Sequence, residues 1–317
     1  MGKYIVKRIL LLIPALLLVC AIVFALMRLI PGDAVDAIVQ KMVNAGQSVD
    51  RGSVETMLGL DKPPLEQFVL WLRDVFQGDL GESLFQYEPV LDIIGRQLPV
   101  TLELGILTLI LSNLVSIPLG LFCASRQNSA SDYVIRAVGV VLMAVPVFWI
   151  ATIVLVYPAT KWGYSPPMNY VSFFADPLEN LRMFLVPALL GAMTAAGNQL
   201  RMVRTMNLEV LRMDYVRTAW AKGAKERIVL FRHVFHNAMI PVVTAIGGAA
   251  GGMIGGSVIL ENLFNIPGIG QQMVTALNNR DYPVIQGCVL IFSVIVMLIN
   301  LLVDVSYKWI DPRVELD

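Results

Sequence analysis

Six stretches of this 317-residue chain run for 18 to 28 residues without an Asp, Glu, Lys or Arg: 9–27, 104–125, 137–160, 183–200, 233–260 and 282–303. A helix needs about 20 residues to cross a hydrocarbon core of about 30 Å. Backbone groups in hydrocarbon must be bonded internally, so runs of this length predict helices. No alternating ten-residue pattern suggests barrel strands. The expectation is an all-α polytopic membrane protein with six transmembrane helices. The first run follows Lys3, Lys7 and Arg8, as a signal peptide would. Its uncharged length exceeds the usual apolar region of about 7–15 residues, and no small-x-small site precedes Arg28, so it is read as an uncleaved span.

Composition supports the same class and removes others. Hydrophobic residues make up 56% and charged residues 15%, against about 45–50% and about 25% in globular chains. The 24 basic and 24 acidic residues cancel, so the net basic footprint of a nucleic-acid binder is absent. Cys20, Cys123 and Cys288 lie in apolar runs without metal-ligand spacing, which predicts neither disulfide nor metal. Neither His233 nor His236 belongs to a recognisable catalytic pairing, and no phosphate-binding glycine loop occurs. No enzyme and no cofactor in this chain is the expectation.

Orientation follows from the basic residues. Six spans place both termini and the loops after spans two and four on one side, which carries 15 of the 24 basic residues. The segment 31–99 holds five basic and eleven acidic residues. Both termini are therefore expected in the cytoplasm, with 31–99 facing outward. Within that segment Leu65, Phe68, Val69, Leu72, Val75 and Phe76 recur at helical spacing, predicting a short amphipathic helix begun by Pro63–Pro64 and ended by Gly78 and Gly81. The division expected is a first transmembrane helix at 1–30, an extracytoplasmic helical insertion at 31–99, a five-helix core at 100–307 and a cytoplasmic tail at 308–317.

The segment 201–241 carries the most information. Asp214 reads as an N-cap and Gly223 as the residue just past a helix C-terminus, giving a helix of eight residues at 215–222. Tyr215, Val216, Ala219 and Trp220 fall on one side of it, with Arg217 and Lys222 flanking. Such a helix suits a groove on a soluble partner, whereas a plain basic loop would touch lipid head groups. In span five Gly247, Gly251 and Gly255 repeat every four residues, as do Gly248, Gly252 and Gly256. They fit either close packing against a partner beside the pathway or static packing within the subunit. Among polar groups near the membrane, Glu103 is expected in the first turn of span two. Asp304 is expected to pair with Arg201 or Arg204.

The order of residues in 201–241 resembles the cytoplasmic coupling motif of binding-protein-dependent ABC importer permeases of the dipeptide, oligopeptide and nickel group. The matching features are Leu208-Glu209-Val210-Leu211, Asp214-Tyr215-Val216-Arg217-Thr218-Ala219, Ala221-Lys222-Gly223, Arg232-His233, Asn237-Ala238 and Pro241. Others extend the likeness over nearly the whole chain: LIPGD ending at Asp33, LGLDKP at 58–63, GDLGES at 78–83, PVFW at 146–149, Pro267-Gly268, Arg280-Asp281-Tyr282-Pro283 and Asp311-Pro312-Arg313. Trp220, Lys225 and His236 depart from the usual residues. The resemblance implies a type I ABC importer permease fold in a bacterial inner membrane. It also implies a second, different permease chain, two cytoplasmic ATPases that hold ATP and Mg, and an external solute-binding protein. In that setting the ATPases would grip Asp214, Tyr215, Val216, Arg217, Thr218, Ala219, Trp220, Lys222 and Gly223. An ion-coupled carrier is the alternative; it would want inverted repeats with broken helices.

Overall fold

The computed structural model describes residues 2–29, 35, 39, 43, 50–57, 61–164, 166, 167 and 169–310. LIPGD from Ile30 on, the first half of LGLDKP and Asp311-Pro312-Arg313 lie outside them. The main helices are α1 (Gly2–Leu29), α2 (Arg51–Met57), α3 (Pro64–Phe76), α4 (Val90–Ser125), α5 (Ala130–Ala144), α6 (Val147–Trp162), α7 (Pro177–Leu211), α8 (Asp214–Ala221), α9 (His236–Leu263), α10 (Ile269–Asn279) and α11 (Tyr282–Ile310). The one turn Glu226–Ile228 and a π-helical segment, Val229–Phe235, lead into α9. Among the described residues α4, α7 and 282–306 are long and apolar enough to cross a membrane, and two bent pairs raise that number to five. Leu10–Leu26 of α1 is a shorter apolar helix.

Prolines account for two departures from the simple reading. The run 137–160 is not one helix: α5 and α6 meet at 86°. Pro146 carries no N–H and pushes the residue before it out of helical geometry; Val145 sits at φ −85°, ψ 123°. Bent helix pairs, which an ion-coupled carrier would also want, therefore do occur among the described residues. In the run 233–260 the axis bends by 54° between Glu226–Ala238 and Pro241–Met253, where Pro241 removes one ladder bond. A third departure concerns Glu103. Helix α4 begins at Val90, so Glu103 lies several turns inside it and not in the first turn.

Two compact units form. The first takes 1–100 and 267–297. Its core gathers Cys20, Val90, Ile93, Ile94, Ile269, Val284, Ile285 and Cys288. The amphipathic helix is present as α3, but its buried face differs from the expected one. Phe68, Trp71, Leu72 and Val75 pack against this core, with the Phe68 and Trp71 rings 5.1 and 6.1 Å from Phe24 of α1. Leu65, Val69 and Phe76 stand exposed. The GDLGES segment is pinned rather than free: the buried Asp281 carboxylate accepts Ser83 Oγ at 2.5 Å and the Leu84 N–H at 3.2 Å.

The second unit takes 101–266 and 298–317. Asp176 caps α7 by accepting from the Leu178 and Glu179 N–H groups, and the helix runs eleven residues past its charge-free stretch to Leu211. The N-terminus of α5 is fastened to α7 by one ion pair. Asp132, fully buried, receives Arg204 Nε and Nη2 on its two oxygens, both at 2.8 Å. Arg136 Nε and the Asn128 N–H add further donors at 3.1 and 3.0 Å. The Arg204 fork is thus committed to Asp132, and Arg201 makes no ion pair among the described residues. Among the described residues no ion pair joins Asp304 to Arg201 or Arg204, and Arg204 is held by Asp132 through a bidentate pair.

Removing one partner of a buried pair strands the other charge, at a cost of about 3 kcal/mol. Asp132→Asn should therefore lower the melting temperature of the detergent-solubilised protein clearly. Arg136→Gln, which removes a half-exposed donor, should lower it far less. Equal melting of Asp132→Asn and wild type would show that the pair contributes nothing.

Candidate functional site

The expected short helix is present as α8, eight residues long, though its start is shifted. Met213 is the N-cap, with extended backbone and no side-chain hydrogen bond. Asp214 is the first helical residue, where its charge favours the positive end of the helix dipole. At the other end Gly223 has φ +78°. Its N–H donates to Trp220 O at 2.9 Å, and the Ala224 N–H donates to Ala219 O at 3.2 Å. These two bonds close the helix in a Schellman motif, which requires a left-handed residue at that position and so favours glycine.

One side chain anchors α8. Val216 is fully buried against Val229 and Val234 of the π segment, with Val210, Leu211, Ala219 and Ala224 around them. Tyr215 and Trp220 point away, 46% and 42% exposed, so the face expected to hold all four residues together is split. Arg217, Thr218 and Lys222 are exposed as well. The Arg217–Asp214 ion pair at 3.8 Å is solvated on both sides and adds little stability. Partial burial raises the Tyr215 phenol above its ordinary pKa, so it stays neutral. Next to Trp220 a hollow of about 620 Å³ is walled by 124–129, Leu208, Leu211, Arg212, Glu226 and Leu230. Trp220 is an oddity in the sequence; in the structure it forms part of that wall.

Deeper in the same unit lies a cavity of about 700 Å³ between α4, α7 and α9. Gly252 and Gly256 of α9 line it, and a Cβ on either would meet nothing within 4 Å. Gly248 and Gly255 likewise face open space, whereas a Cβ on Gly247 would overlap Val303 of α11. Gly251 is half-buried in α9. The glycine repeat is thus used unevenly: Gly247 packs inside the subunit, and Gly252 and Gly256 leave room. Across the cavity α7 presents Thr194, Asn198, Arg201 and Thr205, spaced four, three and four apart so that one helical stripe holds all of them. Thr194 and Thr205 escape the sequence reading, because threonine breaks no hydropathy run. A search for polar residues at helical spacing along span four and the eleven helical residues after it would have found them.

Comparisons with known proteins agree with one another. The profile of the family described as "Binding-protein-dependent transport system inner membrane component" matches residues 116–316, and that of the corresponding N-terminal region matches 1–105. A putative peptide transport system permease protein of Brucella suis biovar 1 (strain 1330) is 38% identical over 317 residues, covering all of both chains. An oligopeptide transport system permease protein of Bacillus subtilis (strain 168) is 35% identical over 318 residues, 99% of this chain and all of that one. A dipeptide transport system permease protein of Alkalihalophilus pseudofirmus is 34% identical over 341 residues, with 99% and 100% covered. Among solved structures, a chain of the MetNI methionine ABC transporter in an inward-facing conformation aligns with a TM-score of 0.56 at 15% identity, over 69% of this chain and 97% of that one. It shares the fold.

The two kinds of glycine should separate on mutation. Gly247→Leu overpacks against Val303 and should cost about 1–3 kcal/mol, read as a lower melting temperature. At Gly256 an added Cβ meets open space and leucine gains helix propensity, so Gly256→Leu should melt no lower than wild type. The reverse order would refute the packing described here.

Proposed function

The chain belongs to the family of inner-membrane components of binding-protein-dependent transport systems, and from that premise we propose that it forms half of the translocation pathway of an ATP-driven importer for peptides or related solutes. It crosses a bacterial inner membrane six times with both termini in the cytoplasm, and 31–99 forms a helical insertion on the outer side. Its partners are a second, different permease chain, two cytoplasmic ATPases that bind ATP and Mg, and an external solute-binding protein.

The observation that carries this reading is the construction of α8. Val216 ties the helix to its own subunit, while Tyr215, Arg217, Trp220 and Lys222 are offered outward. An ATPase groove that takes up that face pulls on α7 at Leu211 and on the π segment at Val229. A π turn is a soft element often found where helices change conformation. ATP binding on the partner then biases two packings of α9 against α7, and the cavity between them opens to one side or the other. Gly252 and Gly256 keep that cavity wide enough for solute.

Two measurements test the reading. The variants Tyr215→Cys and Arg217→Cys, in membranes holding the assembled transporter, should crosslink to co-purifying ATPase subunits, and the yield should change on adding ATP. Gly256→Leu, stable by the argument above, should abolish ATP-driven uptake into reconstituted vesicles while leaving assembly intact. Full uptake by Gly256→Leu, or solute transport by the purified chain without ATPases, would overturn the proposal.

A further inference from the structure

The cavity between α4, α7 and α9 is chemically one-sided. Among the described residues that line it, Arg201 alone is charged. Three residues further on, Arg204 faces the other way and spends its fork on Asp132. Arg201 makes no ion pair among the described residues, although its helix carries it to the cavity wall. Beside it, Gln199 is only 4% exposed and lines the same cavity. Its Oε1 accepts from Ser116 Oγ at 3.2 Å, and its Nε2 has no hydrogen-bond partner among the described residues. A buried N–H donor without an acceptor costs about 1–3 kcal/mol. Native structures rarely keep one unless a ligand or water supplies what is missing.

The unmet amide sits inside the wall with no surface open to the cavity, so the charged group that faces the space is Arg201, and a lone cation in a mostly apolar cavity asks for an anion. Resting on the pathway reading above, we propose that this cavity holds a transient subsite for the carboxylate end of the solute. Arg201 pairs with a peptide's terminal carboxylate. The volume of about 700 Å³ falls within the range of small-ligand sites. The mostly apolar remainder of the wall, from Leu104, Val147, Ala195, Ala249 and Leu260, tolerates varied side chains. A single charge holds a solute loosely enough to let it leave, as conduction requires.

The test uses the reconstituted, fully assembled transporter with Thr194→Cys in the cavity wall. The native thiols Cys20, Cys123 and Cys288 are all buried, so wild type supplies the background. Labelling rates are compared for anionic sulfonatoethyl and cationic trimethylammonioethyl methanethiosulfonate, each normalised to a free thiol in solution. A focused positive charge should favour the anionic reagent by about tenfold. Arg201→Gln should reduce the ratio to about one, and Arg201→Lys should keep most of it. Trialanine should slow labelling more than trialanine amide does, and Arg201→Gln should remove that difference. Labelling without anionic preference, a preference that survives Arg201→Gln, or equal protection by acid and amide would each overturn the subsite while leaving the pathway reading in place. A Thr194→Cys variant whose introduced thiol neither reagent reaches, with or without ATP, would overturn both.

Discussion

Hydrocarbon offers a backbone no hydrogen-bond partner, and the rest of the architecture follows from how the chain lives with that. Every long charge-free run closes its N–H and C=O groups by becoming helix. Two of the prolines mark bends, of 86° at Pro146 and 54° at Pro241, whereas Pro187 is carried inside the continuous α7. Neither bend is incidental to the site. The first turns α5 into α6, which brings Val147 to the cavity wall; the second sits between the π segment and the glycines that keep the cavity open.

Helix α7 organises the second unit because its faces do different work. Thr194, Asn198, Arg201 and Thr205 look into the cavity. Arg204 is locked to Asp132 on α5. Leu211, at its end, packs with the anchor of α8. A period of about 3.6 residues per turn puts Arg201 and Arg204 roughly 60° apart, enough for one arginine to meet a buried carboxylate and the other an empty space. Two residues of the same type, three positions apart, thus carry opposite roles.

The sequence made the helical class, the amphipathic α3, the eight-residue α8 and the left-handed turn at Gly223 legible, because each rests on a local rule: charge-free length, helical spacing or glycine at positive φ. What escapes it depends on distance in sequence. Asp132 and Arg204 are 72 positions apart, and nothing local tells Arg204 to choose Asp132 over Asp304. Ser83 and Asp281 are separated by 198 positions. The inward face of α3 is illegible for the same reason. Periodicity says that an apolar stripe exists, but only the position of Phe24 decides that Phe68 and Trp71 face it while Leu65 and Val69 do not. The glycine repeat shows the limit most clearly: an identical local pattern is filled by Val303 at Gly247 and left open at Gly252 and Gly256.

These contacts also decide where a pull on α8 would be absorbed. On one side stands α7, 35 residues long, capped by Asp176 and braced to α5 by the ion pair at Arg204. On the other, α8 reaches α9 through a π turn and a proline bend. Displacing α7 means breaking a bidentate pair to a fully buried carboxylate. Flexing the π turn costs only a rearrangement of hydrogen bonds that are already longer in register than those of an α-helix. If α8 is pulled as proposed, the softer path lies along α9: the wall carrying Gly252 and Gly256 would move, and the wall carrying Gln199 and Arg201 would stay. A fixed polar wall facing a mobile glycine wall can release a solute by widening the space around it, without having to turn the groups that hold it.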